Sequence, residues 1–365
     1  MKISILSLGV HGTNENYGAV LQIFAFQEYL KQYFKADVEV INYYGLSTKF
    51  QTTFYDNIFI KSKKILKNII KILFNDKLTL RIKKHEKFIK TYLNITKPYN
   101  YQNIELAIFN SDYYIAESDV IWDPSFRNTG FDKTYFLKNK CFDNGKKIIY
   151  AASMGDIKFS QKQNTEFKEL ISNLDKISVR ENYAKQYIYN TFNTEVETLI
   201  DPTLLFDETF YNQYIIKLNY KIKKPYIIVY FPAEKNNEVI KCAEKYAKDK
   251  NLDIIYLCRN KIEGKNTKIN LGIEEFLYYI KNSHAIFCDS FHGICFSIIY
   301  KKEFYAFMRN DGKKIVDICE KLELTDRLII DSILPDKKID YLKVYKILIN
   351  ERQRAKKWLT DVFLN

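Results

Sequence analysis

Several common signatures are missing from this sequence. The six cysteines (Cys141, Cys242, Cys258, Cys288, Cys295 and Cys319) form no CxxC pair and no zinc-type spacing with the four histidines, so no zinc site is expected. Several fall inside predicted strands or helices, where cysteine serves as a small hydrophobe, and a reduced, cytoplasmic setting is the expectation. No apolar run reaches membrane-spanning length, and no signal peptide precedes the first predicted strand, Lys2 to Leu8, so a soluble or peripheral protein is expected. The glycines of the first loop stand at Gly9, Gly12 and Gly18, without the GxGxxG spacing of a dinucleotide fingerprint. No recognition motif accompanies the basic residues, and no nucleic acid partner is expected.

What is present is long, apolar enough and strongly basic. A chain of 365 residues with 47% hydrophobic residues suits two domains of middling size, each able to bury a core. Net charge is +13, which by itself admits nucleic acid, an anionic membrane surface or an anionic substrate. The excess is concentrated: Lys61 to Lys90 holds eleven Lys and Arg against Asp76 and Glu86. Apolar residues (Ile65, Leu66, Ile69, Ile70, Ile72, Leu73, Phe74) interleave with those lysines. Two expectations follow: an inserted helical pair with a solvated lysine face, favoured because charge runs are usually solvated, or a helix lying on anionic lipid.

Around this insertion, at about 50–100, the chain alternates strand and helix. Strand Lys2 to Leu8, a glycine-bearing loop, an apolar helix from Ala19 to Leu30 and strand Val38 to Asn42 make a βαβ opening of the doubly wound kind. Later strands are predicted at Tyr113 to Ile115, Lys147 to Ala152, Ile177 to Arg180 and Val196 to Ile200. Asp201-Pro202-Thr203-Leu204 reads as a hinge, after which the alternation restarts with strands at Tyr226 to Phe231, Ile254 to Cys258, Ala285 to Asp289 and Phe304 to Met308. A last helix, about Tyr341 to Phe363, is predicted to pack back across the hinge. The expected domains are therefore residues 1–200, residues 201–335, and a closing helix in 336–365, two open α/β domains with a cleft between them.

The chemistry is expected in the loops that follow strand ends. In Asp289-Ser290-Phe291-His292-Gly293, the turn between a buried strand and the apolar helix Ile294 to Tyr300, a helix N-terminus favours an anion and glycine permits close approach. His292 adds a proton donor that titrates near neutrality, or else simply caps the helix. Arg180 at a strand end reads either as an anion ligand or as the partner of a buried carboxylate.

Six segments in order resemble the polysaccharide pyruvyl transferase family: Asn16-Tyr17-Gly18-Ala19-Val20-Leu21-Gln22, Ser118-Asp119 with Trp122, Tyr150-Ala151-Ala152-Ser153 with Gly155, Ile177-Ser178-Val179-Arg180-Glu181, Asp201-Pro202-Thr203-Leu204-Leu205, and the His292 segment. Departures are Glu117 for a common glycine, Val120 for glutamine, Asp123 for asparagine, and Ser290 where some members have arginine. The resemblance implies two Rossmann-like domains facing a cleft, of GT-B type, and transfer of a pyruvyl group from phosphoenolpyruvate to a sugar or lipid-linked glycan without a metal or further cofactor. It implies His292 as general acid and Arg180 as a ligand of the donor anion. Beside these, Asp119 and Glu15 are candidate bases, Ser290 and Gly293 lie on the donor side, and Arg309 and Lys313, just beyond the next strand, are within reach of the donor phosphate. Asn16, Tyr17, Gly18, Ser118, Trp122 and Ser153 fall on the acceptor side. For Lys313 and Lys314 a plain surface charge is the stronger expectation. The alternatives are a GT-B glycosyltransferase using a nucleotide sugar, and a non-catalytic sugar or nucleic-acid binding protein.

Overall fold

The computed structural model describes residues 1–10, 16–45, 77–124, 130–155, 158–215, 218, 220, 222, 224–232, 234–309 and 312–364. It divides into two compact units, Met1–Glu15 with Ala19–Pro202, and Asn16–Gly18 with Thr203–Asn365.

In the first unit, β1 (Lys2–Leu6) leads through a 3-10 turn at Leu8–Val10 toward α1 (Tyr17–Phe34), and β2 (Asp37–Ile41) returns beside β1. Helix α2 (Lys77–Tyr92) follows, then β3 (Tyr113–Glu117), β4 (Lys146–Ala152), α3 (Gln161–Ile171), β5 (Lys176–Val179), α4 (Asn182–Phe192) and β6 (Glu197–Thr198). The strands form one parallel sheet in the order β2-β1-β3-β4-β5-β6, with Ile5 opposite both Val40 and Ile115. Strand order reverses between β1 and β3, and in open parallel sheets such a reversal opens a crevice at the C-terminal strand ends. One core cluster holds Trp122, Phe136 and Phe167, with Phe136 stacked on the indole at 5.6 Å and Phe167 edge-on at 5.2 Å.

Only part of the basic insertion falls on described residues. Positions 61–76, with the apolar residues Ile65 to Phe74, lie outside them, as does Glu15. Helix α2 docks on α1 through Phe88, edge-on to Phe24 at 5.1 Å, and leaves Lys77, Lys83, Lys87 and Lys90 exposed. Among the described residues no helix is long and apolar enough to cross a membrane.

The second unit starts with a 3-10 turn at Pro202–Leu205 and the short α5 (Glu208–Asn212). It continues through β7 (Tyr226–Phe231), α6 (Asn237–Asp249), β8 (Asp253–Cys258), β9 (Thr267–Lys268), α7 (Ile273–Asn282), β10 (Ala285–Cys288), α8 (Phe291–Ile299), β11 (Glu303–Ala306), α9 (Lys313–Lys321) and α10 (Tyr341–Leu364). Its parallel sheet has the order β11-β10-β7-β8-β9, so the reversal falls between β7 and β10. Every residue of β7 and β10 is buried, the continuous apolar pattern of parallel strands covered on both faces. Helix α10 is clasped inside this unit by Arg352, whose Nε and Nη2 donate to the carbonyls of Leu204 and Phe206 at 2.7 and 2.6 Å. All six cysteines are buried and unpaired with one another.

Candidate active site

On the second unit the site grows from the end of β10. Ser290 takes an extended conformation and its Oγ accepts from the N–H of Gly293 at 3.2 Å, the N-cap geometry that starts α8 at Phe291. His292 and Gly293 therefore lie in the first turn of the helix rather than on the turn before it, because the serine cap brings the helix start forward from the predicted Ile294. Gly293 has no room for a side chain: a Cβ there would stand 2.9 Å from the Tyr230 ring of β7 and 3.1 Å from Cys288 Sγ. Close packing of α8 on β7 thus needs glycine at this place, at the strand-order reversal where ligands of open sheets bind.

His292 is buried, its ring edge-on to Phe291 at 5.2 Å. The backbone of Gly18 lies against it: a Cβ on Gly18 would come within 2.1 Å of Nδ1 and 2.6 Å of Cβ of His292. Gly18 therefore shapes the seat of the imidazole, and its N–H is taken by the exposed Asn16 through Oδ1 at 3.0 Å. Tyr17 is buried and engaged within the protein. Its ring stacks on Phe276 at 4.3 Å, and its hydroxyl donates to the Leu271 carbonyl at 3.2 Å.

Asp289, one residue before the cap, receives Arg309 Nε at 2.6 Å and Asn236 Nδ2 at 3.3 Å on Oδ2. Burial pushes its carboxyl above the ordinary range, and the Arg309 charge opposes that shift. Lys313 is exposed at the start of α9, and Lys314 is half-buried.

On the first unit the loops after β3, β4 and β5 meet around a buried ion cluster. Arg180 is 3% exposed, with Nε on Glu181 Oε1 at 2.7 Å and Nη1 on Asp201 Oδ2 at 2.9 Å. Burial alone would lower its proton affinity, but Glu181, Asp201 and Asp119 together hold it above the ordinary arginine value. Two carboxylates pair with the guanidinium, the buried-carboxylate reading of Arg180. Ser118 is fully buried and donates to the same Asp201 oxygen at 3.1 Å. Ser118 and Asp119 both take left-handed conformations, φ 39° and 50°, unusual for side-chain-bearing residues. The cluster holds that bend, and the Asp119 carbonyl accepts from Ser153 N–H at 2.9 Å.

Three of the residues expected on the acceptor side are buried. Trp122, Ser118 and Ser153 are all 0% exposed. Trp122 fills the core, Ser118 anchors to Asp201, and Ser153 Oγ accepts from Gly155 N–H at 3.3 Å. Asp119 alone of this group is partly exposed, and its Oδ1 accepts from Val120 N–H at 2.9 Å.

Sequence reasoning passed over the partners: Asn236 and Glu234 in the loop after β7, Asp201 as an ion-pair member rather than a hinge marker, and Glu117 as a buried acid. Glu117 ends β3 fully buried and accepts from Gln22 Nε2 at 3.0 Å. Burial pushes its carboxyl up to about 8, and the neighbouring Asp201 and Asp119 add to the shift. The only sequence signal for it was an acid at a place where the resembling family commonly has glycine. Among the described residues no three His, Cys, Asp or Glu side chains converge as a metal site.

Comparison with known proteins places this geometry. A search of curated proteins gave no match. Among solved structures, one described as a UDP-N-acetylglucosamine 2-epimerase from Listeria monocytogenes is 9% identical, covering 96% of this chain and 87% of that chain at a TM-score of 0.50. The UDP-GlcNAc 2-epimerase of Methanocaldococcus jannaschii is 13% identical, covering 99% of each chain at a TM-score of 0.47, and the ADP-heptose lps heptosyltransferase II of E. coli is 10% identical, covering 98% of this chain and 100% of that one at 0.37. At such identities the likeness concerns fold alone, two parallel-sheet, Rossmann-like domains of the GT-B class. Residues 16–311 match the polysaccharide pyruvyl transferase family, which takes in the His292 loop, the Gly18 seat and the ion cluster of the first unit, and the chain belongs to that family of transferases.

Proposed function

We propose that this transferase moves a pyruvyl group from phosphoenolpyruvate to a sugar of a bacterial-type surface polysaccharide precursor and closes a ketal across two of its hydroxyls. The observation that carries the reading is the position of His292. In a chain of this family it sits on the first turn of α8, at the β7/β10 reversal, in a seat that Gly18 keeps clear. Phosphoenolpyruvate brings a phosphate and a carboxylate, and the positive end of a helix suits such an anion.

The imidazolium of His292 gives a proton to C3 of the donor, which becomes a methyl group, and C2 takes on oxocarbenium character. A sugar hydroxyl attacks C2 and yields its proton to a carboxylate base. The C2–O bond to phosphate then breaks, and the second hydroxyl forms the second C2–O bond. The released phosphate carries away the second hydroxyl proton, so one donor and one diol give one ketal and inorganic phosphate. The reading needs no cofactor beyond the donor. The exposed lysines of α2 support an approach to an anionic membrane surface, where a lipid-linked acceptor would reside.

The test is ligand-observed NMR of phosphoenolpyruvate against a panel of nucleotide sugars, followed by acceptor-dependent phosphate release, with His292→Ala and His292→Gln as controls. Phosphoenolpyruvate should bind, and the His292 variants should lose turnover by about a hundredfold or more, the range of general acid catalysis. A wild-type protein that binds a nucleotide sugar and ignores phosphoenolpyruvate is a glycosyltransferase, and the reading is then wrong.

A further inference from the structure

We propose that Arg309 is the phosphate ligand of this site and that Asp289 is the positioning residue that aims it; the proposal rests on the pyruvyl-transfer reading for the identity of the phosphate. Three loops at the C-terminal edge of the second sheet are tied at one point. Asp289 follows β10, Arg309 follows the neighbouring β11, and Glu234 and Asn236 follow β7 on the other side. The Asp289 side chain is wholly buried, and its Oδ2 receives Arg309 Nε at 2.6 Å and Asn236 Nδ2 at 3.3 Å. Arg309 Nη2 donates to the Glu234 carbonyl at 2.8 Å.

These contacts fix the guanidinium along one edge. Nη1 has no partner among the described residues, so the fork at the far end of the group stays available, and the side chain is 25% exposed. A guanidinium held in this way presents parallel N–H groups at the spacing of phosphate oxygens. Arg180 makes the contrast: two carboxylates hold it and it is closed from solvent, whereas Arg309 has one carboxylate, one carbonyl and an open side. The loop that holds Asp289 also carries the cap Ser290 and His292, so the cation is anchored to the same backbone as the proposed acid.

Calorimetric titration of the full chain with phosphoenolpyruvate and with inorganic phosphate tests this on Arg309→Ala, Arg309→Lys and Asp289→Asn, with thermal melts as the fold control. Arg309→Ala should weaken phosphoenolpyruvate by about tenfold or more, the usual consequence of losing a charge-assisted contact. Arg309→Lys, which keeps charge and loses the fork, should recover only part of that affinity. Asp289→Asn should weaken binding less than Arg309→Ala and, in turnover, raise KM more than it lowers kcat. If Arg309→Ala is unfolded, Arg309→Lys decides alone.

Folded variants that bind phosphoenolpyruvate as tightly as the wild type overturn the proposal. Should the wild type prefer a nucleotide sugar that Arg309→Ala weakens, the pyruvyl reading fails while Arg309 keeps its role as phosphate ligand. A wild type that binds neither donor nor inorganic phosphate overturns both.

Discussion

Glu117 is a carboxyl at the C-terminal end of a central parallel strand, fully buried, with Gln22 on one oxygen and carboxylates nearby. The unfolded chain gives up this proton near the ordinary value of 4.5, whereas the folded chain keeps it to about 8. Between those two values the native state holds a proton that the unfolded state has lost. Stability therefore falls as pH rises through this window, by up to about 1.4 kcal/mol per pH unit. Glu117→Gln keeps the shape and an oxygen for Gln22 but cannot ionise. Urea unfolding at pH 5 and pH 8 should show the variant gaining on the wild type by a few kcal/mol at the higher pH. Parallel stability curves for the two proteins would mean that Glu117 is not held protonated.

At the scale of elements, α10 is fastened to its unit by an arginine rather than by its apolar stripe alone. Arg352 reaches two carbonyls of the 202–206 turn, and Tyr345 donates from its hydroxyl to the Ile299 carbonyl at 2.9 Å. Arg352→Met keeps the aliphatic stem and leaves those carbonyls without the guanidinium. It should cost about 1–3 kcal/mol in urea unfolding and leave phosphoenolpyruvate affinity unchanged. A loss of donor binding without a loss of stability would place Arg352 in the site instead.

The helix itself was legible from its spacing, but this clasp was not, since a side chain bonding to backbone about 150 positions away leaves no periodic trace. The same limit separates other readings. The βα alternation and the buried strand before His292 follow from apolar runs and are found as β7 and β10. Helix α8 starts at Phe291, ahead of the apolar run at Ile294, because Ser290 as a cap is visible only in its contact with Gly293. The predicted strand Val196 to Ile200 shrinks to Glu197–Thr198. Its last residues run into Asp201, which the buried Arg180 draws into an ion pair. Both partners of Arg180 were in motifs already singled out; which motif met which was a matter of topology.

At the scale of the molecule, each unit has its own sheet and its own core cluster, and each contains one of the two tryptophans. Trp122 is buried among Phe136 and Phe167 of the first core, while Trp358 is half-buried on α10 of the second unit. Separate cores allow separate unfolding transitions, so a single two-state fit is not expected to serve. Trp358→Phe leaves a fluorophore that follows the first unit, and Trp122→Phe leaves one that follows the second. A ligand stabilises the species that binds it by about 2.7 kcal/mol at a hundred times its dissociation constant. Because His292, Ser290 and Arg309 all lie on the second unit, phosphoenolpyruvate at that excess should shift the Trp358 transition and leave the Trp122 transition nearly in place. A shift confined to Trp122 would move the donor site to the first unit. Equal shifts in both would mean that the two cores melt as one, with binding energy shared across the whole chain.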